Sequence, residues 1–210
     1  MATYSANIAG TTDGQDMYGS GNRNTSSPLT FGYVGWLSTD YRIACRWQPD
    51  IDLTGHRIIV DSVTMTVRAA NGNGDGAFTS SVHIHNGDAP NLSTTDLAFG
   101  YSDIGNSQNV SVLSSHNQND TLTSPDMKAA VQAWFNRAGY AADDYIGWIW
   151  EDGDAAKGEY WDSYAGGDTA TNRPKMDMTY RRPSKANWNG VANANLELQG
   201  VDSDYLSRLQ

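Results

Sequence analysis

Residues 131–150 read VQAWFNRAGYAADDYIGWIW, and the way this stretch divides decides the fold. Its first part, with Ala130 just before it, spaces Val131, Trp134 and Phe135 along one helix face. Its last part, from Tyr145, is a run of aromatic and β-branched residues with almost no polar relief, which suits a strand covered on both faces. Ser124, Pro125 and Asp126 predict the helix start, the serine as capping hydroxyl, the proline where no amide donor is needed and the acid near the positive end; Gly139 predicts its stop. One short amphipathic helix running straight into a central strand is therefore expected.

Outward from there the chain reads as strands. In YRIACRWQPDIDL (41–53) Ile43, Cys45 and Trp47 alternate with Arg42 and Arg46, so one face is buried and the other is wet or paired with acids. HRIIVDSVTMTVRAANGNGDG (56–76) sets Ile59, Val63, Met65 and Val67 in period two before a glycine and asparagine turn. TYSANIA (3–9) predicts an edge strand, TFGYVGWLS (30–38) a strand with glycine relief, and SVHIHNGDAP (81–90) and DLAFGYSDI (96–104) two further short strands. Residues 105–125 read as loop with one strand near 110–113, while YIGWIWEDG (145–153), EYWDSYAG (159–166) and RPKMDMTY (173–180) complete the set. Short strands at this spacing predict an all-β sandwich or barrel.

Composition points the same way. The 210 residues suit one domain, and glutamate and lysine are scarce beside Gly, Ser, Thr, Asn and aromatic residues, a balance that favours strands and turns over helices. With 14 basic and 24 acidic residues the net charge is -10, which opposes the counterion release that drives binding to nucleic acid, so no nucleic-acid partner is expected. No apolar run of about twenty residues occurs, so no membrane span is expected. The amino end lacks the basic-then-apolar pattern of a secretory signal, so synthesis in the cytoplasm is expected. Cys45, the single cysteine, has no partner for an intramolecular disulfide and reads as a buried inert thiol.

The domain is expected to span residues 1–183. Residues 184–210 are polar and Asn-rich, with Trp188, Leu196, Leu198, Tyr205, Leu206 and Leu209 as sparse apolar points that cannot build a core but can each plug into a neighbour. An extended C-terminal assembly arm is the reading.

Three constellations bear on chemistry. Trp148 and Trp150 share one strand face with Ile146, while Tyr145, Gly147 and Ile149 share the other. The plainer reading buries them; the functional one makes an aromatic ligand platform of Trp148, Trp150, Tyr160 and Trp161, with Tyr164 beside it. His83 and His85 lie two apart on a strand with both rings on one side, as a sheet metal site requires, but no third ligand is identifiable and a hydrogen-bonded pair is favoured. Asp143, Asp144, Glu151, Asp152 and Asp154 are oxygen donors suited to a structural calcium ion, with solvated loop acids the plainer reading. Glu151 with Asp162 or Glu159 is the one carboxylate pair to weigh for glycoside hydrolysis, and no nucleophile elbow, phosphate loop or metalloprotease motif occurs. No catalytic residues, metal or cofactor are expected, and the chain is not expected to be an enzyme.

The strand YRIACRWQPDIDLTGHRIIVDSVTMTV, the stretch VHIHNGDAPNLSTTDLAFGYSDI, the helix-to-strand segment 126–150 and the closing RPKMDMTY together resemble jelly-roll modules of the DNRLRE, carbohydrate-binding-like type. Such modules occur in bacterial surface proteins, in polysaccharide-active enzymes and in phage structural proteins. The likeness covers roughly residues 30–182, in order. It implies a jelly-roll sandwich with one short capping helix. It further implies a non-enzymatic virion protein of a phage, either a capsid decoration (cement) protein or an exterior tail protein. Its partners would be other virion proteins, such as a major capsid or tail protein, and further copies of itself. The alternative it implies is a carbohydrate-binding module or adhesin domain that holds a host glycan.

Overall fold

The computed structural model describes residues 1–18, 22–25, 28–34, 39–53, 57–72, 77–112, 115–152 and 160–182. Twelve strands are described: β1 (Ala2–Asn7), β2 (Gly14–Tyr18), β3 (Asn22–Asn24), β4 (Leu29–Val34), β5 (Thr39–Trp47), β6 (Ile59–Arg68), β7 (Phe78–Ile84), β8 (Gln108–Val112), β9 (Thr121–Thr123), β10 (Ile146–Asp152), β11 (Tyr160–Ser163) and β12 (Lys175–Arg181). One helix, α1 (Lys128–Asn136), lies between β9 and β10.

The smaller sheet runs β1-β12-β6-β9 and the larger β11-β4-β5-β10-β7-β8, with the β2-β3 hairpin paired to β5, and every pairing is antiparallel. Leaving aside β2, β3, β4 and β11, which widen the larger sheet beyond β5, eight strands remain. Their order, β1-β12-β6-β9 facing β5-β10-β7-β8, is that of a jelly roll, in which first and last strands are neighbours. The chain is thus an all-β, jelly-roll-like sandwich, as the sequence predicts.

The inward side chains follow strand parity. Ile43, Cys45 and Trp47 of β5 meet Trp148 and Trp150 of β10 and Met176 and Met178 of β12 in one core, all at most 2% exposed. β10 is central, paired to β5 on one side and β7 on the other, as its apolar run requires. Helix α1 inserts Ala130, Val131, Trp134 and Phe135 at one end of that core.

Four expectations need correction. Ile59 is 39% exposed, and its neighbour Val60 points inward instead. A register shift between Thr179 and Tyr180 inserts a bulge, so that Val60 and Val63, three residues apart, both face the core. Ser124 does not cap the helix: its hydroxyl accepts from the Met65 amide and donates to the Pro125 carbonyl, and α1 begins four residues later with no side-chain cap. DLAFGYSDI is no strand but part of a loop, and GQDMY (14–18) and TLT (121–123), unforeseen, are strands. In GQDMY the small Gly14 lets Ile8 and Leu29 approach to within 2.8 and 3.3 Å of where a Cβ would sit, a packing cue rather than a pattern cue.

Candidate functional site: a charged latch on the outer face of the larger sheet

The outer face of β5, β10 and β7 carries Arg42, Ala44 and Arg46, then Gly147, Ile149 and Glu151, then His83. A loop that leaves β7 and returns before β8 lies across it. Its neck is closed by Asn86 N donating to Ser102 O at 2.6 Å and Ile104 N to Ile84 O at 3.0 Å. It lays Ala89, Leu92, Leu97 and Ala98 on Ile149, Ala44 and Met17 to form a second apolar cluster. So the Tyr145, Gly147 and Ile149 face of β10 is covered by this loop, and the Trp148 and Trp150 face by the smaller sheet.

Gln15 fastens the loop. Its amide nitrogen donates to Leu92 O at 2.7 Å and Thr95 O at 2.9 Å, and its carbonyl accepts from Leu97 N at 2.8 Å and Ala98 N at 3.1 Å. The side chain is fully buried with its whole hydrogen-bonding capacity used. Arg46 works beside it: Nε reaches Asp13 at 2.8 Å, Nη1 donates to Ala89 O at 3.2 Å, and the guanidinium lies 4.1 Å from the Tyr145 ring centroid.

The densest cluster sits where the loop's returning limb crosses β7. His83 Nδ1 is 2.9 Å from Asp103 Oδ2, and its Nε2 is 2.9 Å from Glu151 Oε1, the latter a contact of distance rather than of hydrogen-bond alignment. Arg42 Nη1 reaches Glu151 Oε2 at 2.7 Å while its guanidinium stands 4.4 Å from the Phe99 ring centroid. The register that pairs Trp150 with Ile43 sets Arg42 across from Glu151, and Ile149 opposite His83 makes Glu151 a diagonal neighbour of the imidazole. The Tyr101 ring packs 5.1 Å from His83, and its phenol donates to Glu151.

Burial works against the charged form of His83, but its contacts with Glu151 and Asp103 outweigh that and raise its pKa above 6.5. Burial likewise opposes ionised Glu151, and His83, Arg42 and Tyr101 outweigh it and lower its pKa. When His83 is protonated, it and Arg42 balance the two carboxylates. Chemically the network can hold a proton between imidazole and carboxylates and can tie the loop's returning limb to three strands.

The sequence-predicted residues fall as follows. Trp148 and Trp150 are fully buried, and Trp161, 3% exposed, stacks on His116 with centroids 4.0 Å apart. For Trp148, Trp150 and Trp161 the platform reading is therefore corrected to core: a sugar cannot stack on indoles buried in this way. Trp150 Nε1 points to Met65 Sδ at 3.0 Å, and Trp148 meets Trp47 edge-on. Tyr160 begins β11, with Gly32 as its register partner; its side chain, with Asp154 and Glu159, is outside the described residues, as are Trp188, Leu196, Leu198, Tyr205, Leu206 and Leu209.

Glu151 and Asp162 stand on β10 and β11 with β5 and β4 between them, roughly 14 Å at 4.8 Å per strand, too far apart for either glycosidase geometry. Of the acids weighed for calcium, Asp144 is bound by Arg137 and by Ala141 N, and Glu151 by Arg42 and His83. Among the described residues no three His, Cys, Asp or Glu side chains group as metal ligands, and no helix is long and apolar enough to cross a membrane. His85 uses Nδ1 to accept Ser102 N at 3.1 Å. Cys45 is fully buried and burial pushes its thiol pKa up.

Sequence reading singled out Arg42, His83 and Glu151 separately but missed Phe99, Tyr101 and Asp103, which complete the latch. The alternation of HIH with the EDG strand end was the available signal; the loop that closes on it has no periodicity.

What the fold and this face define is a class: a jelly-roll-like β-sandwich in which the central strands of the larger sheet are covered on both faces. A scan against protein-family models finds no match, and a search of curated proteins finds no significant one.

Proposed function

We propose that the protein is a structural protein of a virion, a jelly-roll module held on the outside of a phage particle, and that it works by attachment rather than catalysis. The single observation that carries the reading is the strand order β1-β12-β6-β9 against β5-β10-β7-β8, an arrangement shared by many capsid domains; the support is by analogy of fold. The loop over β5, β10 and β7 fits it, because a module whose central outer face is covered meets neighbours through its edges, its ends and its chain extensions. Residues 184–210 serve as the arm that contacts other virion proteins, and several weak contacts on one particle sum to firm attachment.

The test is fractionation. In a density gradient of particles from its source, the chain is expected to band with the particles at a fixed copy number and to rebind when added to particles stripped of it. A chain ending at Pro183 is expected to stay folded and not to rebind. Chain found only at the top of the gradient would sink the reading, and rebinding of the shortened chain would sink the arm. The glycan-binding reading loses the buried indoles on which it rested.

A further inference from the structure

The free edges of the sandwich are unequal. β9 and β3 have three residues each, and β11 is tied to the smaller sheet through Ala70 N to Asp162 O and Tyr164 N to Arg68 O, both at 2.9 to 3.0 Å. β8, with five residues, lies at the flank away from β1. β1 has six residues, Ala2 to Asn7, with no charge, no proline and no bulge, and among the described residues nothing pairs with its outer side. Natural sheets rarely leave such an edge bare, because its amides and carbonyls accept any strand that fits. Ile8 N donates to Pro174 O, so by alternation the backbone groups of Thr3, Ser5 and Asn7 face away from β12.

The chain also leaves the fold beside this edge. β12 ends at Arg181, one strand in from Ala2, and the two large apolar side chains exposed among the described residues, Met1 and Ile59, flank that end. In the residues beyond it, Asn195-Leu196-Glu197-Leu198-Gln199 alternates as a half-buried strand does. The pattern complements β1, on which Tyr4 and Ala6 turn to the core and Thr3, Ser5 and Asn7 turn outward. Leu196 and Leu198 would continue the line of Tyr4 and Ala6 across the open flank, with the polar residues beside Thr3 and Ser5.

From these observations we infer that residues 195–199 of one copy add as a strand to the β1 edge of a second copy. Reaching its own β1, about 5 Å from β12, needs only a short turn. The 13 residues from 183 to 195 span up to about 43 Å, comparable to the width of a domain of this size, which suits a neighbour. The inference builds on the arm of the preceding reading but is tested without particles.

The experiment uses three full-length chains: wild type, the edge variant Ser5→Pro and the tail variant Leu196→Asp/Leu198→Asp. By light scattering the wild type is expected to be oligomeric, with slowly exchanging amides at Thr3, Ser5 and Asn7. Each variant alone is expected to be a monomer with the Thr3 and Asn7 amides exchanging at least tenfold faster. An equimolar mixture of the two variants is expected to form one-to-one heterodimers, since the intact tail of one finds the intact edge of the other. A monomeric wild type, oligomers that survive both variants, or a mixture that stays monomeric would each overturn the inference. A wild type that is monomeric yet still bands with particles would overturn the strand pairing and leave the preceding reading standing.

Discussion

His83 and His85 project to the same side of one strand line, yet their surroundings drive them apart. His83 is held between Asp103 and Glu151, which raise its pKa against the pull of burial. His85 is lowered, first by burial and then by Arg137, with Asp88 opposing. A raised histidine stabilises the fold fully below its ordinary value of 6.5 and loses that contribution as pH rises through the folded value. A lowered one costs stability as pH falls below 6.5, because the unfolded chain takes up a proton that the buried ring beside Arg137 resists. Glu151, lowered from 4.5, contributes above that value and ceases to as pH falls through its folded value. In an NMR titration His83 is expected to protonate above 6.5 and His85 below it; a common midpoint would show that the latch is not formed. The stability deficit of His83→Gln is expected to be largest between about pH 4.5 and 6.5 and to shrink on the alkaline side, measured by urea unfolding at several pH values. Gly147 is the other residue to probe. A Cβ there would lie 2.9 Å from Leu97 Cδ2, 3.0 Å from Ala89 Cβ and 3.1 Å from His85 Cβ, so Gly147→Ala is expected to cost about 1–3 kcal/mol in denaturant. An unchanged midpoint would mean that the loop does not press on β10.

At the scale of the element, the loop over the outer face is the part whose attachment can be cut at one point. Gln15→Ala strands two carbonyls and two amides on residues 92–98 with no buried partner. Each stranded group costs about 1–3 kcal/mol unless water reaches it, so the loop is expected to detach locally before the sandwich opens. Limited proteolysis reads this as new cleavage within 90–100, and a variant cut no faster than wild type would place the hold elsewhere. Helix α1 behaves differently. Its C-terminal end is held by Trp134, whose indole donates to Gly87 O at 2.7 Å, and by the cap residue Arg137, which donates to Trp134 O and stacks 4.1 Å from the same ring. The periodicity of residues 130–135 showed the helix, but its start was misplaced because Ser124 gives its hydroxyl to the Met65 amide of β6, while Asp126 Oδ1 accepts from both Val63 N of β6 and Lys128 N, the first amide of the helix. Side chains with capping chemistry cannot tell, from sequence alone, which amides will come within reach.

For the whole molecule, the buried indoles separate a structural from a binding role. Trp148→Ala and Trp161→Ala are each expected to cost about 3–5 kcal/mol of stability. Any loss of glycan retention is expected to match the unfolded fraction; a stable variant that lost a specific glycan would restore the platform. The strand order also explains how far sequence could go. Alternation gave β5, β10 and β12 with their faces correct, because each has one inward row and a regular pleat. It failed at Ile59, where one bulged residue reverses the parity of everything before it.

By itself the sequence determined that the chain is all-β with one short helix, that β10 is a central strand and that the Trp and Met rows are apolar, since these follow from local periodicity and composition. Only the tertiary structure decided which of those rows is closed to ligands, that Arg42, His83, Asp103 and Glu151 meet, and that among the described residues nothing pairs with the outer side of β1. Those facts depend on contacts between residues 20 to 110 positions apart, which pairing and loop placement create and which leave no period in the chain.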